Sequence, residues 1–98
     1  MDELIKNVLG WSHSRGLNKI ENVPKQTMKV MEELGELSSA ILKSDEDWIV
    51  DGIGDVLVTI IILADQLELD PMMCLQAAWH EIKDRQGRTV DGVFIKDQ

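Results

Sequence analysis

The amino-acid sequence predicts an all-α domain, a four-helix bundle with a short C-terminal arm. Three observations carry that expectation. Apolar residues recur at steps of three and four along most of the chain, the period of a helix with one buried face. Helix start and stop signals, Asp70-Pro71 and Gly87 among them, separate those stretches. The single continuous β-branched run, Val56 to Leu63, has no second run to pair with, and a lone strand is not a stable structure. The length of 98 residues suits one domain, residues 1–98, with no linker, repeat or low-complexity tract to divide it.

The first helix is expected from Asp2 to about Ser14, on the spacing of Leu4, Ile5, Val8, Leu9 and Trp11, with Arg15-Gly16-Leu17-Asn18 as its break. Pro24 suits the first turn of a second helix that runs to about Lys43, with Asn22 as its candidate N-cap. Met28, Met31, Leu34, Leu37 and Ile41 form its apolar stripe. Ser44 or Asp45 caps a third helix, from about Glu46 to Glu68. Its stretch from Val56 to Ala64 is apolar nearly all round and has to be covered on every side. A four-helix monomer covers only part of it, which places a subunit interface there. Asp70 as N-cap and Pro71 at the first helical position open a fourth helix to about Gln86, and Gly87 ends it. From Thr89 to Gln98 the chain alternates Val90, Gly92 and Phe94 and is expected as a short strand or an ordered arm.

A chain of this size buries only about two-thirds of the surface its unfolded form exposes. A lone cysteine, Cys74 within Met72-Met73-Cys74-Leu75, rules out an internal disulfide framework and fits a reducing compartment as a buried packing thiol. Oligomerisation remains as the route to a larger core. Met1–Gly10 lacks the apolar region of a secretory signal, and the longest apolar run falls far short of the about 20 residues of a membrane span. The expected setting is therefore cytoplasmic, without a membrane partner. Eighteen acidic against ten basic side chains, a net charge of −8, speak against a nucleic-acid polymer, whose phosphates need clustered Lys and Arg. They do not speak against a nucleotide, because carboxylates can hold a divalent metal and the metal can hold phosphate.

Two segments carry the candidate chemistry. In Glu32-Glu33-Leu34-Gly35-Glu36, Glu33 and Glu36 stand three apart on one helical face, which Lys29 and Gln26 extend at four and seven residues before Glu33. In Asp51-Gly52-Ile53-Gly54-Asp55, the two aspartates stand four apart, one turn before the most apolar stretch of the chain. Carboxylates beside such a stretch are costly unless something neutralises them. Gly52 and Gly54 each cost about 1 kcal/mol of helix propensity against alanine, a cost that close approach of another helix or a phosphate can offset. Antiparallel packing of the two helices lets the carboxylates converge, and hard oxygen ligands suit Mg²⁺ or Mn²⁺. A carboxylate not committed to metal, Glu32 or Glu33, can orient a water. From spacing alone, such charged pairs are also what solvated helix faces look like.

These two segments resemble the motifs of the MazG-like all-α nucleoside triphosphate pyrophosphatases, whose pattern is Glu-x-x-Glu, a spacer, then Glu-x-x-Asp. The resemblance covers roughly residues 24 to 96, with Gly92-Val93-Phe94-Ile95-Lys96 in the tail. It implies a helical bundle working as a dimer or a dimer of dimers. It also implies a nucleoside triphosphate substrate cut between its α- and β-phosphates and Mg²⁺ held by the carboxylates of both helices. By position, Glu33, Glu36 and Asp55 match the metal ligands. The fourth position departs, with Gly52 in place of a glutamate; either Asp51 substitutes for it or three carboxylates and water complete the set. Lys83, Arg85 and Arg88, with Lys29, are the candidate cations for the triphosphate, although a helix C-terminus attracts cations for its dipole alone. Trp48 is the first candidate for stacking the base, with Trp11 and Asn18 next; no motif gives His13 or His80 a role. The alternative to an enzyme that clears nucleotides is a non-catalytic helical protein with a degenerate site, which senses nucleotide or binds a partner.

Overall fold

The computed structural model describes residues 2–97; Met1 and Gln98, at the two ends of the expected domain, lie outside the described residues. The elements are α1 (Asp2–Ser14), a 3₁₀ turn (Ile20–Asn22), α2 (Val23–Leu42), α3 (Glu46–Gln66), α4 (Pro71–Ile82), β1 (Gly87–Val90) and β2 (Val93–Lys96). Among the described residues no helix is long and apolar enough to cross a membrane.

Two caps act as expected. The Asp45 carboxylate accepts from the Trp48 amide at 3.2 Å and opens α3, and Asp70 accepts from the Met72 amide at 2.9 Å and opens α4. Asn22 precedes α2 but its side chain makes no capping hydrogen bond; its Nδ2 donates to the Leu17 carbonyl at 3.1 Å. The β-branched run from Val56 is helical throughout. The fourth helix is shorter than expected and stops at Ile82, with Gly87 opening a strand rather than closing the helix. The C-terminal arm is an antiparallel hairpin that pairs Gly87 with Lys96 and Val90 with Val93. Asp91 and Gly92 form its turn with φ of 50° and 78°, the positive values that a two-residue turn needs to follow the strands' twist.

Most of the packing is between α2 and α3, with α1 laid against α3. Contact of Leu37 with Gly52 and of Gln26 with Thr59 runs α2 and α3 antiparallel. Gln26, Val30, Glu33, Leu37 and Ala40 face this seam from α2, and Gly52, Val56, Thr59, Ile62 and Gln66 face it from α3. Each set follows the three-and-four spacing of one helix face. This corrects the stripe expected for the second helix. Met28, Met31, Leu34 and Ile41 are each about half exposed or more, and only Leu37 of the five sits on the seam. The apolar residues of α2 spread over more than one face, and the face that carries Leu37 is the one that fits closely against Gly52.

The buried apolar core within one chain is correspondingly small: Ile5, Ala40, Ile62 and Ala64 among the described residues. No residue of α4 or of the hairpin is buried, and Leu75, Trp79 and Phe94 are at least half exposed. Cys74, expected as a buried thiol, is exposed for the same reason: α4 lays no face on this chain's own core.

Candidate active site

The two motif segments face each other across the seam of α2 and α3. Glu33 is 7 % exposed there, a carboxylate that burial penalises unless it is paired. Its partner is Lys29, one turn earlier on the same helix, whose Nζ lies 3.2 Å from Glu33 Oε1 and 4.0 Å from Glu32 Oε2. The hydrogen bond to Glu33, then the charges of Glu32 and Glu33, push the Lys29 pKa above its ordinary value of 10.5. Lys29 is therefore a fixed cation among the acidic groups.

Two clefts open along the seam and share one residue, Asp55. A cleft of about 530 Å³ carries Asp55 with Glu33, Lys29, Gln26 and Trp11. A second, of about 320 Å³, carries Asp55 with Asp51, Gly52, Glu36 and Trp48. The four carboxylates expected as metal ligands thus divide between the two, Glu33 in the wider cleft, Glu36 and Asp51 in the narrower one and Asp55 in both. They are not drawn together into a ready cluster: no three Asp, Glu, His or Cys side chains among the described residues converge closely enough to hold an ion. As a donor set they fit a hard divalent cation, being carboxylate oxygens from two facing helices with the exposed Glu36, Asp51 and Asp55 free to change rotamer.

Gly52 has the close approach that its helix-propensity cost suggests. A Cβ built there would meet Leu37 Cδ1 at 3.1 Å and Leu37 Cα and Cβ at 3.3 Å. Gly54 has nothing within 4 Å of such a Cβ. Position 52 therefore belongs to helix packing, which gives a physical reason for glycine where the resemblance expects glutamate.

The remaining candidates divide. Trp11 lines the cleft with Lys29 and Glu33, with the Arg15 guanidinium 4.3 Å from its ring centroid, and Trp48 lines the cleft with Asp51 and Glu36. Glu32 stands exposed beside Lys29. Asn18 is elsewhere. Its Nδ2 donates to Asp65 Oδ2 at 2.6 Å, and His13 Nε2 meets the same oxygen at 2.8 Å. Both line a larger cleft of about 810 Å³ between α1 and the start of α4, which holds none of the motif carboxylates. Lys83, Arg85 and Arg88 line none of the three clefts. Lys83 is the residue after α4, Arg85 pairs with Glu81 at 3.6 Å, and Arg88 stands on β1.

Sequence reasoning passed over Thr59 and Gln66, which share the wider cleft with Asp55. The signal was present: both are polar residues in the most apolar helix, at four and eleven residues after Asp55, on the same helical face. Gln26 ties the helices together there, its Nε2 donating to the Thr59 carbonyl at 3.0 Å.

Residues 22–89 match the family model described as the MazG nucleotide pyrophosphohydrolase domain. The chain is also 41% identical over 73 residues to a protein of Haemophilus phage HP1, described as an uncharacterized 18.2 kDa protein in the rep-hol intergenic region. That match covers 74% of this chain and 45% of the phage protein, so the chain spans less than half the length of that relative. No solved structure matches the chain.

Proposed function

Because the chain belongs to the MazG nucleotide pyrophosphohydrolase family, we propose that it hydrolyses (deoxy)nucleoside triphosphates between the α- and β-phosphates, as a single domain working in a homo-oligomer. The observation that supports this reading is the sharing of Asp55 by two clefts, which gives one seam four carboxylates, a fixed cation and two tryptophans. Glu33, Glu36, Asp51 and Asp55 are the residues to hold Mg²⁺, or Mn²⁺ in its place. The ion would neutralise charge on the phosphates.

The chain's own residues account for the rest. Lys29 is held on Glu33 while no phosphate is present and is free to turn to the triphosphate when one enters, so the cleft exchanges one anion for another on the same cation. A carboxylate among Glu32 and Glu33 that is not bound to metal accepts a hydrogen bond from water and takes its proton as the water oxygen attacks phosphorus. The bond to the bridging oxygen breaks, and the products are a nucleoside monophosphate and pyrophosphate. Trp11 or Trp48 supplies the face on which the base stacks, a contact typically of about 1–3 kcal/mol. Lys83, Arg85 and Arg88 would reach a triphosphate only from a partner copy.

The oligomer rests on exposed apolar surface. Val50, Ile53, Leu57 and Ile60 run along α3 at helical spacing, each at least 44% exposed, and Trp79 and Leu75 are open on α4. A homodimer, or a pair of dimers, would cover these faces and enlarge a core too small for one chain.

A second reading rests on Gly52. Packing there has replaced a family ligand position, and a degenerate site that binds nucleotide without turnover follows if three carboxylates with Asp51 do not suffice. Pyrophosphate release from a panel of NTPs and dNTPs, with Mg²⁺ and with EDTA, separates the two. Mg²⁺-dependent release that Glu36→Ala and Asp55→Ala abolish is the expected result. No release from folded protein, with nucleotide still bound, would favour the sensor.

A further inference from the structure

Two buried side-chain oxygens have no hydrogen-bond partner among the described residues, Asn18 Oδ1 and Gln66 Oε1. Gln66 is 3 % exposed and lines the cleft of Trp11, Lys29 and Asp55. Its Nε2 donates to the Leu17 carbonyl at 2.9 Å. A carbonyl accepts only, so the amide cannot reverse without setting two oxygens against each other, and the end left over is an acceptor. Asn22 lines the same cleft, and its Nδ2 also donates to the Leu17 carbonyl, at 3.1 Å. One backbone oxygen therefore fixes the sense of two side-chain amides, and both oxygens that remain are acceptors. Gln66 Oε1 is enclosed within the chain, so a donor reaches it only when the side chains over it shift, and a buried acceptor without a partner is a cost that a bound donor then removes.

Resting on the pyrophosphohydrolase reading above, we infer that Gln66 and Asn22 read the nucleobase and select a base with an exocyclic amino group, adenine, cytosine or guanine, over uracil and thymine. The phosphates belong at the Lys29 and Asp55 part of this cleft, which leaves Trp11, Asn22 and Gln66 for the base. Adenine and cytosine offer an amino group with two N–H donors, and guanine offers a ring N–H beside its amino group. Uracil and thymine offer one N–H flanked by two carbonyl oxygens, which a pair of acceptors repels. A site that hydrogen-bonds a substrate N–H discriminates strongly against an analogue lacking it, because its own polar group is then left unpaired.

The test is equilibrium binding of CTP, ATP, GTP, UTP and TTP with Mg²⁺, beside pyrophosphate release from the same nucleotides. It uses the wild-type chain, Gln66→Met and Asn22→Leu. Wild type should favour the three amino-bearing nucleotides by about 10- to 100-fold in binding. Gln66→Met should remove most of that preference by weakening those three and leaving UTP unchanged. Asn22, only half-buried, offers a second variant less exposed to folding failure, and Asn22→Leu should narrow the same ratio by several-fold. Binding of all five nucleotides with equal affinity to wild type, or a ratio unmoved in folded variants, overturns the inference and leaves the pyrophosphohydrolase reading standing. Binding of none of them removes that reading and this inference with it. Binding with the expected preference but without turnover supports the base reading and counts against hydrolysis alone.

Discussion

The seam of α2 and α3 and the C-terminal third of the chain are built on opposite terms. The seam is finished within one chain: Ala40, Gly52 and Thr59 are buried on it, Gln26 bonds across it, and the motif carboxylates lie along it. From Pro71 onward no described residue is buried, although Trp79, Leu75 and Phe94 are as apolar as any core residue. Local signals form both regions equally well, since Asp70 caps α4 and Asp91-Gly92 turns the hairpin. Local signals make elements, and a fold needs something for those elements to cover. In the C-terminal third nothing among the described residues covers those faces.

The largest effect expected from this contrast is on catalysis. Asp55→Ala should lower kcat/KM for the best nucleotide by at least about a hundredfold, whereas Arg88→Ala should change it by less than about tenfold. Steady-state pyrophosphate release checks both. A collapse in Arg88→Ala equal to that of Asp55→Ala would break the contrast, because the hairpin would then have to complete a partner's site.

Assembly is the next arm. If the open apolar faces are buried between copies, the apparent Tm should rise with protein concentration, and Trp79→Ser should lower it by several degrees while shifting the sedimentation profile towards monomer. A monodisperse monomer with a concentration-independent Tm would remove the subunit interface from the account.

The two glycines of the second motif sharpen the comparison by sign. Gly52→Ala should destabilise, because about 1–3 kcal/mol of overpacking against Leu37 exceeds the helix-propensity gain. Gly54→Ala, with open space around it, should stabilise by up to about 1 kcal/mol. Chemical denaturation of the two variants side by side gives the answer, and a shared sign would mean that the seam is looser than its distances.

The smallest effect is electrostatic. Lys29 has its pKa raised in the folded chain by Glu33, so its contribution to stability is complete below its ordinary 10.5 and is lost as pH rises through the folded value. The side chain is half exposed, so Lys29→Met should cost only a few tenths of a kcal/mol near neutrality, about what surface pairs contribute. Thermal melts above pH 10 should show an alkaline decline in the wild type that is partly lost in the variant.

The helices were legible in the sequence because their signals are local. The start of α3 at Asp45 and of α4 at Asp70-Pro71 needs only the residues on either side. The carboxylates stood out because their spacing and the family resemblance both point to them, at every position but 52. The stripe of Met28, Met31, Leu34 and Ile41 misled because periodicity shows that a face is apolar and not what covers it. The end of α4 misled because Lys83 to Gln86 offers no breaker before Gly87. Gln66 escaped notice because the unmet hydrogen-bonding capacity of its oxygen appears only once the Leu17 carbonyl has claimed the other half of the amide. Cation placement was the least legible part: Lys29 is beside the carboxylates because it shares their helix, while Lys83, Arg85 and Arg88 depend on a tertiary arrangement that sequence neighbours do not specify.

The contact between Gly52 and Leu37 also limits how such a sequence can change over time. A glutamate at position 52 would set its Cβ 3.3 Å from the Cα and Cβ of Leu37, so Leu37 has to give by a few tenths of an ångström before it fits. Leu37 to alanine, which opens the space, leaves a cavity on the seam when it comes alone. Each single step therefore carries a cost that the pair together reduces, the non-additivity expected of neighbours in contact. A lineage with glycine packed at this position meets that cost on the way to a carboxylate there. The neighbouring route leaves position 52 bare, and Asp51 one residue earlier is then the carboxylate we propose for the chemistry.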